Sequence, residues 1–182
     1  MTHPFRWIAL TVGVGVLAFS VMLAVNVDTD PRADLNTSRL LGKPAPELAL
    51  TRLDGTRLTS ADLVGKTVII NFWNSWCLPC REELPALQQW YANHKDDPNL
   101  VFIGIPRDDS SAAIRAAARE DQMAWAVAND RGAKAAALSF ATRGQPETFA
   151  VSPDGIIKAS LLGPASVEVL DQLVRYGRGD RR

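Results

Sequence analysis

The stretch VIINFWNSWCLPCREELPAL, residues 68–87, contains both cysteines of the chain, Cys77 and Cys80. A disulfide between residues so close in sequence constrains the unfolded chain only weakly, so it would be a poor structural brace. The apolar run TVIINFW, rich in β-branched residues, predicts a strand buried on both faces. Apolar residues then recur at three- and four-residue spacings and predict a helix from Cys77 to about Asn93. The pattern favours a reactive pair of cysteines.

Cys77 falls where this strand ends and the helix begins. Unpaired N–H groups and the positive end of the helix dipole favour a thiolate there. Cys80, one turn further on, can attack the mixed disulfide that Cys77 forms with a substrate. Pro79 is tolerated in a first helical turn. We expect Cys77 to be the exposed, attacking sulfur, and Trp73 and Trp76 to form an apolar lip around it.

The two cysteines allow two other interpretations. A structural zinc site needs four ligands, and the chain adds only His3 and His94, of which His3 precedes the apolar N-terminal segment. An inert buried pair is the second alternative, but it explains neither the helix start nor the tryptophans around it. We predict catalytic cysteines, no metal and no cofactor.

Composition adds little about partners. The 182 residues are 47% hydrophobic and 22% charged, and Lys plus Arg equals Asp plus Glu at 20 each. No basic stripe interleaved with aromatic residues is present. A nucleic-acid partner is therefore not expected.

The N-terminal segment from Trp7 to Val27 contains no charged residue. It is long enough for a hydrocarbon core, which takes about 20 residues. Arg6 precedes it, and Asp28 and Asp30 follow it, so the charge bias puts the N-terminus in the cytoplasm. The alternatives are a cleaved signal peptide, although no small-x-small cleavage site follows, and a buried helix of a soluble protein. We expect a single-pass plasma membrane protein whose folded domain is extracytoplasmic.

The rest of the chain divides by composition. We assign residues 1–27 to the cytoplasmic N-terminus and transmembrane anchor, 28–40 to a flexible linker, 41–178 to one folded domain and 179–182 to a tail. Asp54-Gly55 predicts a β-hairpin, followed by a short helical turn. An α/β fold with a mixed central sheet is predicted from strands near residues 67–73, 100–106, 124–127, 147–152 and 156–162 and helices near 77–93, 109–121, 133–140 and 166–176.

The cysteine segment resembles the active site of the thioredoxin superfamily. It is more narrowly similar to membrane-anchored thiol–disulfide reductases of the TlpA, ResA and CcmG (DsbE) family. Three further segments fit this family: LGKPAPELALTRLDGTRLTSADLVGK before the cysteines, VFIGIPRDD after them and GQPETFAVSPDGII near the end. Together they span roughly residues 41–165. The resemblance implies a thioredoxin-like fold with an N-terminal β-hairpin extension.

In the resembling families a proline with a cis peptide bond lies beside the cysteines, which here implies a cis bond between Gln145 and Pro146. The Gln145 backbone would remain unpaired, so that a substrate segment could add alongside as a short strand. An ordinary trans-proline turn is the alternative. Gln145, Pro146 and Trp76 are the substrate-binding residues that we predict.

Two departures from the family pattern affect the predicted chemistry. Thioredoxins carry a buried Asp at the position of Asn71, which helps to move the proton of the second cysteine. Asn71 cannot ionise, so we predict Glu147, which matches the Pro-Glu-Thr-Phe of the cytochrome-maturation reductases, as the third catalytic residue. A surface glutamate at a strand start is the alternative. Ala141 and Thr142 replace the usual Gly and Val before the proline loop.

The resemblance implies a membrane-tethered dithiol reductant of exported proteins. Its expected substrate is the oxidised Cys-x-x-Cys-His of apocytochrome c, and its expected electron donor is a membrane thiol carrier of the CcdA or DsbD type. We expect a monomer. The alternatives are a general reductase or oxidant of other exported proteins, and a binding module whose cysteines are incidental.

Overall fold

A computed structural model describes residues 12–21, 35 and 38–180 of the chain. The chain divides into two units, residues 1–33 and 34–182. In the first unit, residues 12–21 form helix α1, whose side chains are exposed. Among the described residues, no helix is both long and apolar enough to span a membrane. The predicted anchor runs from Trp7 to Val27, and apart from residues 12–21 it lies outside the described residues.

In the second unit the described residues form strands and helices in an alternating order. The strands are β1 (Ala49–Thr51), β2 (Arg57–Thr59), β3 (Thr67–Trp73), β4 (Leu100–Pro106), β5 (Ala126–Val127), β6 (Glu147–Val151) and β7 (Ile157–Leu162). The helices are α2 (Leu78–His94), α3 (Ser111–Glu120), α4 (Asp130–Ser139) and α5 (Val167–Arg178), with a 3-10 turn at Ser60–Leu63.

The main sheet is mixed, as the sequence predicts. Its strand order is β5-β4-β3-β6-β7, and β3 runs parallel to β4 but antiparallel to β6. Every residue of β3 is buried, because apolar layers cover both faces of the sheet. One layer contains residues of α2, α3 and α5, and the other contains residues of α4 and of the β1–β2 hairpin. The continuous apolar run of β3 is thus explained by two-sided burial.

The predicted hairpin is confirmed. Strands β1 and β2 pair in antiparallel fashion, and Gly55 in the turn has a φ of 86°, which glycine adopts without steric cost. The Asp54 carboxylate accepts a hydrogen bond from the Thr56 backbone N–H at 2.9 Å. This hairpin lies outside the main sheet, as a separate two-stranded sheet.

Several boundaries differ from the prediction. Helix α4 begins at Asp130 instead of near Ala133, and β5 contains only two residues. The early start of α4 brings Gly132 against β1, where an added Cβ would lie 2.4 Å from the Ala49 carbonyl oxygen. Only glycine permits that approach, so α4 can begin at Asp130 because residue 132 has no side chain.

The end of the predicted linker, residues 28–40, contacts the domain. Leu35 is buried and forms a bridge to Leu161 of β7. The Ser38 backbone N–H donates to Ser160 Oγ at 3.2 Å. Leu35 and Ser38 therefore pack on β7, the outer strand of the sheet. The sequence analysis did not predict this contact, because the segment is polar overall and Leu35 is one of its few apolar residues.

Candidate active site

The loops that carry the predicted site residues meet at one edge of the main sheet. Because β3 and β4 are parallel, their carboxyl ends lie at the same edge, and the antiparallel β6 begins there. In the register of β3 and β6, Asn71 is opposite Thr148 and Phe72 is opposite Glu147. The sheet thereby places the cysteines that follow β3 beside the proline that precedes β6.

The two cysteines form a disulfide at the start of α2. Cys77 is the N-cap residue of the helix, and its Sγ accepts a hydrogen bond from the Cys80 backbone N–H at 3.2 Å. Pro79 lies in the first turn, where its missing N–H removes no helical hydrogen bond. A sulfur in this position is next to an N–H donor and the positive end of the helix dipole, both of which stabilise a thiolate.

The exposure of the sulfurs differs from the expectation. Cys77 was expected to be exposed, but in the disulfide form Cys77 is 4% exposed and Cys80 is 6% exposed. The Gln145 carbonyl oxygen lies 3.8 Å from Cys77 Sγ, so the proline loop covers that sulfur. Exposure therefore does not distinguish the two cysteines, and the assignment of Cys77 as the attacking sulfur depends on its place at the helix start.

Trp73 and Trp76, predicted together as an apolar lip, occupy different environments. Trp76 is 65% exposed, and Leu78, which follows Cys77 in the sequence, is also exposed. Trp73 is buried as the last residue of β3 and lines a small internal cavity together with Cys80. The prediction for Trp73 is wrong because both faces of β3 are covered up to its final residue.

The proline loop has the geometry that the resemblance implies. The Gln145–Pro146 bond is cis, Pro146 is buried, and the Gly163 backbone N–H donates to the Pro146 carbonyl at 2.9 Å. Gln145 itself is only partly buried and faces Cys77. The structure thus brings Gln145 and Pro146 to the disulfide, while the part of Gln145, Pro146 and Trp76 in substrate binding stays a prediction.

Glu147, the predicted proton carrier, is the first residue of β6 and is almost completely buried. Its carboxylate accepts hydrogen bonds from the Arg143 backbone N–H at 2.8 Å and from the Arg143 guanidinium at 3.2 Å. The pair is also a salt bridge. Glu147 is therefore not a surface glutamate, but its carboxylate is held by a cation; its catalytic role stays a prediction.

A second buried acid, Glu83, was missed by the sequence analysis. Its Oε1 accepts a hydrogen bond from Asn71 Nδ2 at 2.8 Å, and its Oε2 accepts one from the Ala165 backbone N–H at 3.0 Å. Glu83 and Cys80 line the same internal cavity of about 10 Å³. Burial raises the pKa of Glu83 from its ordinary 4.5 to about 7, although the two hydrogen bonds oppose that rise.

Asn71 and Glu83 together account for the missing aspartate. The carboxyl group that is absent from β3 at Asn71 is supplied from the facing helix by Glu83, and the Asn71 amide donates to it. A sequence signal for this existed, because Cys80, Glu83, Leu87 and Trp90 recur at three- and four-residue spacings and form the buried stripe of α2. A glutamate in such a stripe is unusual and marks a candidate functional residue.

The loop that leads to Cys77 is held from the end of β4. Asn74 is buried, its carbonyl accepts from the Cys77 backbone N–H at 3.2 Å, and its Oδ1 accepts from the Asp108 backbone N–H at 3.0 Å. The Ser75 backbone N–H donates to Asp109 Oδ2 at 2.8 Å.

Within the described residues, no group of three or more His, Cys, Asp or Glu side chains could hold a metal ion.

The fold and the site define a class of protein. A mixed sheet with flanking helices, a Cys-x-x-Cys disulfide at a helix start and a cis-proline against it are the features of a thioredoxin-like thiol–disulfide oxidoreductase. The family comparison agrees: residues 41–160 match the model of the AhpC/TSA family, and the chain belongs to that family.

Individual relatives point to the same activity. The chain is 32% identical to the thiol:disulfide interchange protein DsbE of Pseudomonas fluorescens, over 93% of this chain and 89% of that protein. It is 27% identical to the thiol-disulfide oxidoreductase ResA of Bacillus cereus, over 92% and 91%. The thioredoxin domain of a Bacteroides vulgatus thiol-disulfide oxidoreductase superposes with a TM-score of 0.64 at 27% identity, over 74% of this chain and 97% of that one. This chain is an enzyme of the ResA and DsbE type.

Proposed function

We propose that this thiol–disulfide oxidoreductase is a membrane-tethered dithiol reductase that acts outside the plasma membrane, on the oxidised Cys-x-x-Cys-His of apocytochrome c. The uncharged segment from Trp7 to Val27 supports the tether. The Pro-Glu-Thr-Phe at residues 146–149, which resembles the cytochrome-maturation reductases, supports the substrate. The observation that carries the redox chemistry is the Cys77–Cys80 disulfide at the start of α2, against the cis-prolyl loop.

The first step uses the reduced enzyme. The Cys77 thiolate attacks one sulfur of the substrate disulfide, the substrate S–S bond breaks, and a mixed disulfide forms with Cys77. The second substrate sulfur leaves as a thiolate and takes a proton. The hydrogen bond from the Cys80 N–H to Cys77 Sγ favours the attacking thiolate because it places a donor on the sulfur before the reaction.

The second step needs a base for Cys80. Cys80 must lose its thiol proton before it attacks Cys77 Sγ, which releases the substrate as a dithiol and restores the enzyme disulfide. Glu83 shares a cavity with Cys80 and has a pKa near neutrality, so its carboxylate can accept that proton around pH 7. Two electrons pass from the enzyme to the substrate. A membrane thiol carrier of the CcdA or DsbD type then reduces the Cys77–Cys80 disulfide again.

Trapping with single-cysteine variants tests the substrate and the roles of the cysteines together. Cys80→Ser should accumulate as a mixed disulfide with its substrate, because the resolving sulfur is absent, while Cys77→Ser should trap little. Mass spectrometry of the trapped species in the native host identifies the partner. A partner with Cys-x-x-Cys-His supports the proposal, whereas a broad set of exported proteins supports a general reductase. Complexes formed only by Cys77→Ser would reverse the assignment.

Fractionation of the native host tests the tether. The full-length protein, detected with its original N-terminus, should be recovered with the membranes and released by detergent. Recovery of most of the protein in soluble form, with a new N-terminus near Asn26, would show a cleaved signal peptide instead. A deletion of residues 2–27 expressed with a cleavable export signal is the matched control, since it should give the soluble result.

A further inference from the structure

Arg107, the first residue after β4, reaches across to the cis-prolyl loop. Its Nε donates to Thr142 Oγ1 at 2.8 Å, its Nη2 donates to the Thr142 carbonyl at 3.0 Å and its Nη1 donates to Gln145 Oε1 at 3.1 Å. The side chain is partly buried. All three acceptors are neutral oxygens, so the contact is a set of directed hydrogen bonds from a planar guanidinium.

Arg107 is itself fixed to the loop that precedes Cys77. Its backbone N–H donates to the Trp73 carbonyl at 2.9 Å and to Asn74 Oδ1 at 3.0 Å. Asn74 in turn accepts the Cys77 backbone N–H. One residue therefore connects the loop of the attacking cysteine with the loop that carries Gln145, whose carbonyl oxygen lies 3.8 Å from Cys77 Sγ.

We propose that Arg107 is a positioning residue that holds the Gln145 backbone in register for pairing with polypeptide substrates. This rests on the proposed function, in which a substrate segment adds alongside Gln145. With Arg107 in place, the loop that carries Gln145 already has the geometry for pairing before the substrate arrives. Binding then does not include the cost of ordering that loop. A disulfide without peptide groups cannot use that pairing.

The positioning role of Arg107 also explains Thr142, which replaces the usual valine of the family. The Thr142 hydroxyl accepts the Arg107 Nε–H and also donates to the Ala137 carbonyl at 3.1 Å. Valine has nearly the same shape but offers no acceptor. Arg107 and Thr142 thus form one unit, in which the hydroxyl of Thr142 supplies an acceptor that valine would not offer.

Steady-state kinetics with two substrates test the inference. The substrates are insulin, whose disulfides lie in polypeptide, and hydroxyethyl disulfide, which has no peptide group. The variants are Arg107→Gln, Arg107→Lys and the near-isosteric Thr142→Val. Arg115→Gln is the matched control, because Arg115 also donates to a backbone carbonyl, that of Leu53, in another part of the fold. Thermal unfolding of each variant checks that it folds.

We expect Arg107→Gln to raise KM for insulin about fivefold to tenfold with kcat changed less than about twofold, since positioning and not chemistry is lost. Arg107→Lys should not rescue it, because an ammonium cannot form the fork. Thr142→Val should show a smaller rise in KM for insulin. All variants should reduce hydroxyethyl disulfide at the wild-type rate, and Arg115→Gln should match the wild type on both.

Equal losses on both substrates, or no rise in KM for insulin in both Arg107→Gln and Thr142→Val, would overturn the inference. The second variant keeps the test valid if Arg107→Gln does not fold. The two proposals also fail in different ways. If the wild-type protein reduces neither substrate nor an oxidised Cys-x-x-Cys-His peptide, the proposed function fails and this inference fails with it. If the wild type reduces both and neither Arg107→Gln nor Thr142→Val raises KM for insulin, only this inference fails.

Discussion

Two glutamates are buried close to the cysteines, and their surroundings are opposite. Glu83 on α2 is 2% exposed and accepts hydrogen bonds from two neutral N–H groups. Glu147 on β6 is 1% exposed and is paired with the Arg143 guanidinium. Burial raises the pKa of Glu83, and the two groups that oppose this rise are neutral hydrogen-bond donors. Burial alone therefore does not mark the proton carrier, and the partner of each carboxyl decides which of the two suits that role.

The largest expected effect is the change that Glu83 causes in the free energy of unfolding as pH is varied. Because the folded pKa of Glu83 is raised from 4.5 to about 7, the contribution of Glu83 to the free energy of unfolding is fully present below pH 4.5 and is lost as pH rises to about 7. The loss is roughly 3 kcal/mol at about 1.4 kcal/mol per pH unit. Glu83→Gln removes this contribution. Urea unfolding of both oxidised proteins from pH 4 to 8 measures it, and a difference between them that is constant with pH contradicts the assignment.

The rate of the resolving step separates the two glutamates next. Glu83→Gln should slow release of a substrate from the Cys77 mixed disulfide about 100-fold near pH 7, which corresponds to about 2.7 kcal/mol. Glu147→Gln is the matched variant, and its stopped-flow rate should stay within a few-fold of the wild type from pH 5 to 9. The opposite ranking would return the role to Glu147, as the sequence analysis predicts.

Loss of the ion pair between Glu147 and Arg143 should lower the free energy of unfolding. Arg143→Met leaves the buried Glu147 carboxylate with the backbone N–H at 2.8 Å but without the guanidinium. We expect the free energy of unfolding to fall by about 2 kcal/mol, the scale for a buried charge that loses its partner at a partly exposed position. Combining Arg143→Met with Glu147→Gln should recover part of this loss in denaturant titrations. No recovery would mean that Arg143 acts through other contacts.

Placing an acid at Asn71 should have the smallest effect. Asn71→Asp puts a second carboxyl within hydrogen-bond distance of Glu83, so the two acids must share a proton and the apparent pKa of the pair rises by about one pH unit. The pH profile of insulin reduction should move upward by that amount. Thr148→Val, which removes the other partner of the Asn71 amide without adding an acid, should leave the profile in place.

The sequence was sufficient for the sheet and the cysteines because both have local signals. The apolar run of β3, the Asp54-Gly55 turn and the helix start at Cys77 each follow from a few adjacent residues, and the structure confirms them. The cis bond before Pro146 followed from the resemblance. What these have in common is that no distant contact is needed to recognise them.

The residues that sequence reasoning misplaced depend on contacts between distant segments. Glu83 is a candidate base only because Asn71, twelve positions earlier in the chain, and the Ala165 backbone donate to it. Trp73 is buried because helices cover the end of β3. The Arg107 contacts with Thr142 span 35 positions. Such pairs arise from the sheet order, which the chain pattern alone does not specify.

The pKa of Glu83 in the oxidised protein is the quantity that most directly tests whether the two glutamates differ as described. A ¹³C NMR titration of the glutamate side-chain carboxyls, with Glu83→Gln to assign the signal, follows this group alone. The account predicts a midpoint at about 7 for Glu83. A midpoint near the ordinary value of 4.5 would contradict it, because Glu83 would then be no better suited to take the Cys80 proton than an exposed glutamate.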